Sequence, residues 1–239
     1  MNIIGDIDII GDTHGSNRSI SRWAELGDTE NLFHVGDFGV GFKGSMPKIS
    51  QLGQELNNFS KNVYVVRGNH DDPSFFDGRM YGGYYGGIHF LRDGTIADWN
   101  GKKILFNGGA VSIDRAHRIN EIDFWEDEKF KPFKKIETEI DYLVTHSSFP
   151  EVSSFPIKGE MVVAFAKYDQ DLISDLEKES QSIKDWVDSL IENQEKKIKT
   201  WHYGHFHKSH QSNYNGIKCI CLNIEEIRPF DEDFAKRFY

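Results

Sequence analysis

The chain has 239 residues, of which 38% are hydrophobic, 28% charged and 13% aromatic, enough apolar side chain to bury a core and exclude wholesale disorder. No apolar run approaches the ~20 residues of a membrane-spanning helix, so no membrane partner is expected. Lys plus Arg is 28 against 38 Asp plus Glu, a net charge of −10, opposite in sign to proteins that grip a long nucleic acid.

No repeat and no Pro/Gly/Ser linker divides the chain, so one domain over 1–239 is expected. Met1–Ile10 has no basic segment, so a secretory signal is not expected. Cys219 and Cys221 are the only cysteines, which excludes a disulfide framework and suits a reducing, cytoplasmic location.

In chain order, Ile3–Ile10 is an apolar run broken by Asp6 and Asp8 and predicts a strand ending at Gly11. Arg18–Leu26 has helical polarity and stops at Gly27, and Leu32–Val35 predicts a short buried strand. Ser45, with Pro47 in the first turn, predicts a helix reaching about Phe59. Val63–Val66 is β-branched and predicts a third strand. This β-α-β-α-β order implies a parallel sheet. Thr95–Trp99 and Lys102–Phe106 flank Asn100-Gly101, a strong hairpin signal. Tyr142–Thr145 predicts another strand, and Gln170–Glu195 one long or two broken helices over a sheet face. Trp201–Tyr203 is a strand, followed by a hairpin of Ser209–Tyr214 and Ile217–Asn223 about Asn215-Gly216. Early parallel strands and late hairpins predict a mixed sheet, or two sheets face to face with helices outside.

Five polar clusters stand at strand ends: Asp12-Thr13-His14, Gly36-Asp37, Arg67-Gly68-Asn69-His70-Asp71, Thr145-His146 and Gly204-His205-Phe206-His207. Ligands of open α/β sheets bind beyond the carboxyl ends of strands. Residues two apart in extended chain share a face, so Asp12 with His14, and His205 with His207, are spaced as metal ligands. With Asp37, Asn69 and His146 there are seven candidate ligands. That exceeds one tetrahedral site and suits two ions sharing a carboxylate.

The ordered set resembles the calcineurin-like metallophosphoesterase superfamily, with all five blocks in family order from Asp12 to His207. The resemblance implies an α/β fold with a mixed β-sandwich core flanked by helices. It implies two divalent cations, Mn, Fe or Zn, and hydrolysis of phosphate mono- or diesters by metal-bound hydroxide. One ion would take Asp12, His14, Asp37 and His207, and the other Asp37, Asn69, His146 and His205, with Asp37 bridging. His70 is then the catalytic imidazole, and Arg67 a catalytic or substrate-binding fork on a phosphate oxygen. One departure stands out. The Ser/Thr phosphatases of the superfamily carry an Asp three residues after the bridging Asp, and here that position is Val40. His70 therefore lacks that carboxylate and is expected to lose its proton at lower pH. Gly108–Arg118 looks like a stretch of small phage and bacterial members. Its Arg115 and Arg118 either bind the leaving group or stand as surface arginines. A small phosphate ester is the expected substrate; a nuclease acting on nucleic-acid ends and a non-catalytic metal-binding scaffold are the alternatives.

His34, His89, His202 and His210 lack partners at metal spacing and are expected to be structural, and the two thiols to be core residues. Tyr81–Gly87 reads as a glycine-rich loop or a lid, and Lys129–Lys135 as a solvated loop.

Overall fold

The computed structural model describes residues 1–80, 84–134 and 136–232, so part of the 81–87 stretch and Lys135 lie outside the described residues. Strands are numbered in chain order. One sheet runs β13 (Ile227–Pro229), β2 (Ile7–Ile10), β3 (Asn31–His34), β4 (Asn62–Val65), β6 (Ile88–Phe90), β5 (Tyr84–Tyr85). The other runs β1 (Asn2–Ile3), β7 (Thr95–Trp99), β8 (Lys102–Asn107), β9 (Tyr142–Thr145), β10 (Thr200–Tyr203), β12 (Ile217–Cys221), β11 (His210–Tyr214). The central strands of each are parallel and the edges antiparallel, apart from β1 on β7, so both sheets are mixed.

The two-residue period of a strand assigns each side chain to a layer. Ile7, Ile9, Phe33 and Tyr64 from one sheet meet Ile104, Phe106, Tyr142 and Val144 from the other in the core between them. The alternate residues Ile10, Leu32, Val63 and Val65 face outward onto α1 (Arg18–Leu26) and α2 (Ser45–Asn58). Likewise Leu105, Leu143, Trp201 and Cys219 face α3 (Pro150–Ser153) and α5 (Leu172–Glu192), whose Ile183, Trp186, Val187 and Leu190 recur at helical spacing. The strands are thus buried on both faces, which is why they read as short continuous apolar runs. A further helix, α4 (Glu160–Ala166), packs Val162 on Leu172 and Leu176. No described helix is long and apolar enough to cross a membrane.

One element departs from the sequence reading. The Ile3–Ile10 run is not one strand: Asn2–Ile3 pairs with Asp98–Trp99 in one sheet, and Ile7–Ile10 pairs with β3 in the other. The switch occurs at Gly5, at φ 94, whose carbonyl accepts the Trp99 indole N–H at 3.0 Å. Of the two alternatives for Gln170–Glu195, one long helix forms, Leu172–Glu192, because its apolar stripe is continuous over the sheet.

Candidate metal centre

The loops after β2, β3, β4, β9 and β10 carry all seven candidate ligands. Three of those strands are parallel neighbours in one sheet and two in the other, so each set of carboxyl ends lies at one edge. The turns are sharp. His14, Asp37, His205 and His207 are four of the ten described non-glycine residues with positive φ, at 47°, 56°, 67° and 49°. His and Asp tolerate this region better than most residues, and such strain costs about 1–3 kcal/mol each unless packing over-determines it. Close backbone approach does so here: a Cβ on Gly68 would fall 2.1 Å from Asp37 Oδ1, and one on Gly204 2.0 Å from Asp12 Oδ1.

The donor atoms converge in two groups. Asp12, His14, Asp37 and His207 offer one set of ligand atoms within 4.8 Å of one another, and Asp37, His146 and His205 offer another. Asp37 belongs to both. Asn69 joins the second, with Oδ1 3.0 Å from His146 Nε2. In the first, His207 Nε2 lies 2.9 Å from His14 Nε2 and 3.3 Å from Asp12 Oδ2.

His146 shows what the second group requires. Its Nδ1–H donates to the Val35 carbonyl at 2.8 Å, which directs Nε2 toward Asp37 Oδ1 at 3.2 Å and Asn69 Oδ1 at 3.0 Å. The Asn69 amide is oriented too, since its Nδ2 donates to Ser112 Oγ at 2.9 Å. An imidazole lone pair and two oxygen acceptors therefore face one another, and a cation or a proton must sit among them. Burial alone would lower the His146 pKa, but Asp37 outweighs it and pushes it up to about 9. A divalent cation at this place displaces that proton. Imidazole, carboxylate and amide oxygen together fit Mn, Fe or Zn.

The sequence profile described as calcineurin-like phosphoesterase matches residues 5–228. The chain belongs to this family. No curated protein matches it. Among solved structures similar to this calcineurin-like phosphoesterase is a conserved uncharacterized protein, described as a predicted phosphoesterase, from Streptococcus pneumoniae. It is 14% identical, with 96% of this chain and 79% of that one covered and a TM-score of 0.33. Phosphopantetheinyl hydrolase from Mycobacterium tuberculosis is 13% identical, with 92% and 90% covered and a TM-score of 0.44. Vps29 complexed with Zn²⁺ from Entamoeba histolytica is 11% identical, with 91% and 73% covered and a TM-score of 0.34.

Around the candidate ligands of this calcineurin-like phosphoesterase the arginines divide. Arg118 reaches the site, its Nη2 2.5 Å from His70 Nε2 and its Nη1 3.2 Å from Ser112 Oγ, while Nη2 also pairs with Asp114 Oδ1 at 2.6 Å. Arg67 does not offer a free fork, which corrects the expectation of a phosphate contact. Its Nη1 donates to the carbonyls of Asp127 and Glu128, and its Nη2 to Asp93 and the Lys129 carbonyl. Arg115 is likewise taken up, by Asp169 and Asp175. In both cases carboxylates or carbonyls from distant segments compete successfully for the guanidinium.

Asp71, next to His70 in sequence, does not orient it. Its carboxylate accepts N–H groups from Gly39 at 2.7 Å, Gly68 at 2.8 Å, and Phe38 and Val40 at 3.2 Å, tying the β3 and β4 loops together. Val40 itself is buried in the apolar layer under α1 and α2. The imidazole of His70 instead lies parallel to Phe42, with centroids 6.0 Å apart, and meets Arg118. Burial lowers its pKa to about 4, with Arg118 acting in the same direction against Asp37.

Two residues that the motifs do not reveal support the site. Ser112 accepts from both Asn69 and Arg118, and its backbone N–H donates to Glu128 Oε1 at 2.9 Å. The only signal for Ser112 was the Gly108–Arg118 stretch, and Glu128 had none. Ser112→Ala should weaken divalent-cation affinity by about 10- to 100-fold, as losses of such supporting partners do, because Asn69 is freed to rotate. Competition with a chromogenic chelator measures it, and an unchanged affinity would assign the orientation of Asn69 to other contacts.

Glu128 is 1% exposed, with Oε2 buried and unpartnered. Burial pushes its carboxyl up from 4.5 to about 7. The folded state therefore keeps a proton that the unfolded state releases, so stability falls as pH rises from 4.5 through about 7. The drop amounts to about 3 kcal/mol for a shift of this size. Glu128→Gln should lose that decline whatever its stability at pH 5, and urea unfolding of both proteins across this range shows whether it does.

His34, His89, His202 and His210 belong to neither ligand group. His34 takes the Gly36 N–H on Nδ1 at 3.2 Å and meets Thr13 Oγ1 at 3.0 Å, His89 meets Asn62 and His210 meets Ser154. His202 is buried and stacks on Phe230. Both cysteines are free and buried, and burial pushes each thiol up to about 12, which makes them inert core residues.

Proposed function

We propose that the protein hydrolyses phosphate mono- or diesters with two divalent cations, one held by Asp12, His14, Asp37 and His207 and the other by Asp37, Asn69, His146 and His205. The observation that carries this reading is the shared Asp37 between two converging ligand groups, one of which faces an imidazole lone pair toward two oxygen acceptors. When bound, such cations supply Lewis acidity to phosphoryl oxygens and an acidified water. The chain's own residues do the rest. Val35 and Ser112 hold His146 and Asn69 in ligating orientation. Arg118 and His70 stand beside the ligands, where a guanidinium binds a phosphoryl oxygen and an imidazole serves the leaving oxygen. His14 and His207 are open to solvent, so an ester reaches this side without rearrangement.

The test is turnover of p-nitrophenyl phosphate and bis(p-nitrophenyl) phosphate by protein stripped of metal and reloaded with Mn²⁺, Fe²⁺ or Zn²⁺. Turnover that appears with metal and disappears with chelator supports the reading. Two bound ions without turnover of either ester would favour a metal-binding scaffold. Turnover confined to oligonucleotide ends, and steeply salt-dependent, would favour a nuclease.

A further inference from the structure

A cavity of about 230 Å³ opens directly beside the metal centre, sharing His14 and His70 with it. It is smaller than the ~300–1,000 Å³ of pockets for drug-sized ligands, so it suits a compact group. Its outer wall is built by Phe42, Lys43 and Lys48, from the segment that leads into α2 and its first turn. Phe42 is held flat: its ring lies within 14° of parallel to His70, and the Trp125 edge meets it at 5.4 Å. A planar apolar surface therefore stands next to the His70 imidazole.

The charge of this cavity is opposite to that of the chain. The protein carries 38 acidic and 28 basic residues, yet no Asp or Glu lines the cavity, and two lysines do. Several lysines elsewhere meet carboxylates, as Lys102 meets Asp141, Lys184 meets Glu151 and Lys199 meets Asp231. Lys43 and Lys48 make no ion pair among the described residues. A cleft lined by one sign of charge concentrates ligands of the other sign.

Resting on the phosphoesterase reading, we propose that this cavity is a leaving-group subsite. It selects phosphate esters whose leaving group is a planar ring bearing a second negative charge. The ring lies against Phe42, and the anion, a carboxylate or a second phosphate, meets Lys43 and Lys48. Two exposed charge pairs contribute modestly each, which gives a preference of about 5- to 10-fold.

The experiment compares kcat/KM for 3-carboxyphenyl phosphate with phenyl phosphate, leaving groups of similar acidity that differ in the extra charge. A second arm compares benzene-1,3-diol bisphosphate with 3-hydroxyphenyl phosphate and shows which anion is preferred. The charged member should win by about 5- to 10-fold at low ionic strength, and the advantage should shrink in salt. The double variant Lys43→Ala/Lys48→Ala should bring both ratios to about 1 with metal content unchanged, while Lys43→Arg/Lys48→Arg should retain them. Ratios at or below 1 in the parent protein, or ratios unmoved by the alanine pair, would overturn the subsite. Failure of the phosphoesterase reading is distinguishable, because neither ester would then be turned over. Calorimetric titration of Mn²⁺-loaded protein with the same compounds still reads the subsite through the ratio of their Kd values.

Discussion

Asp37→Asn is expected to remove both cations and to lower turnover by more than ~100-fold, since losing a ligand costs more than losing a supporting partner. The two carboxylate oxygens serve opposite sides. Oδ1 lies 3.2 Å from His146 Nε2 and accepts the His70 backbone N–H at 2.7 Å, while Oδ2 faces His14 Nδ1 at 3.8 Å. Burial resists ionisation of Asp37, yet the surrounding histidines, His146 foremost, hold it well below the usual carboxylate range. Asn keeps the shape but turns one oxygen into a donor and deletes the charge that, in the proposed centre, both cations would share. His207→Ala gives the contrast. His207 belongs to one group only and is 43% exposed, so one ion should be lost and the other kept. Metal counting after gel filtration should read two ions per chain for the parent, none for Asp37→Asn and one for His207→Ala. Two ions retained by Asp37→Asn would end the bridging assignment.

His70→Ala is expected to keep both ions and to lower turnover of an alkyl phosphate by roughly 10²–10⁴-fold, the range of general acid catalysis. The ions should stay because the contact to Asp37 is made by the backbone N–H of residue 70, which alanine preserves. The loss should shrink for p-nitrophenyl phosphate, whose leaving group departs without a proton. An acid must hold its proton to act, and burial lowers the His70 pKa to about 4, with Arg118 adding to the shift. The alkyl-ester rate should therefore fall as pH rises from a limb below the ordinary imidazole value of 6.5. Measuring kcat against pH for the two esters tests both statements. Equal losses for the two esters would assign His70 to binding the phosphate through Arg118 instead.

Short-range geometry was legible in the residues. Gly27 ends the helix Arg18–Leu26, Asn100-Gly101 makes the turn of a hairpin, and a two-residue period places Ile9 and Ile10 on opposite faces. These depend only on φ/ψ preference and pleat. The candidate ligands were legible for a related reason. Each follows a strand directly, so once the strands align in parallel the ligands have no freedom to be elsewhere. What the chain could not announce was the destination of its long side chains and the layer joined by an interrupted run. Arg67 and Arg118 both stand beside motif residues, yet Asp93 and the carbonyls of residues 127–129 capture Arg67, while Asp114, Ser112 and His70 hold Arg118. Asp71 follows His70 in sequence but bonds four backbone N–H groups instead of the imidazole. Gly5 sends Asn2–Ile3 to one sheet and Ile7–Ile10 to the other. In each case the outcome is decided by competition among partners brought from distant segments. Local spacing carries no information about such partners until the sheets have packed.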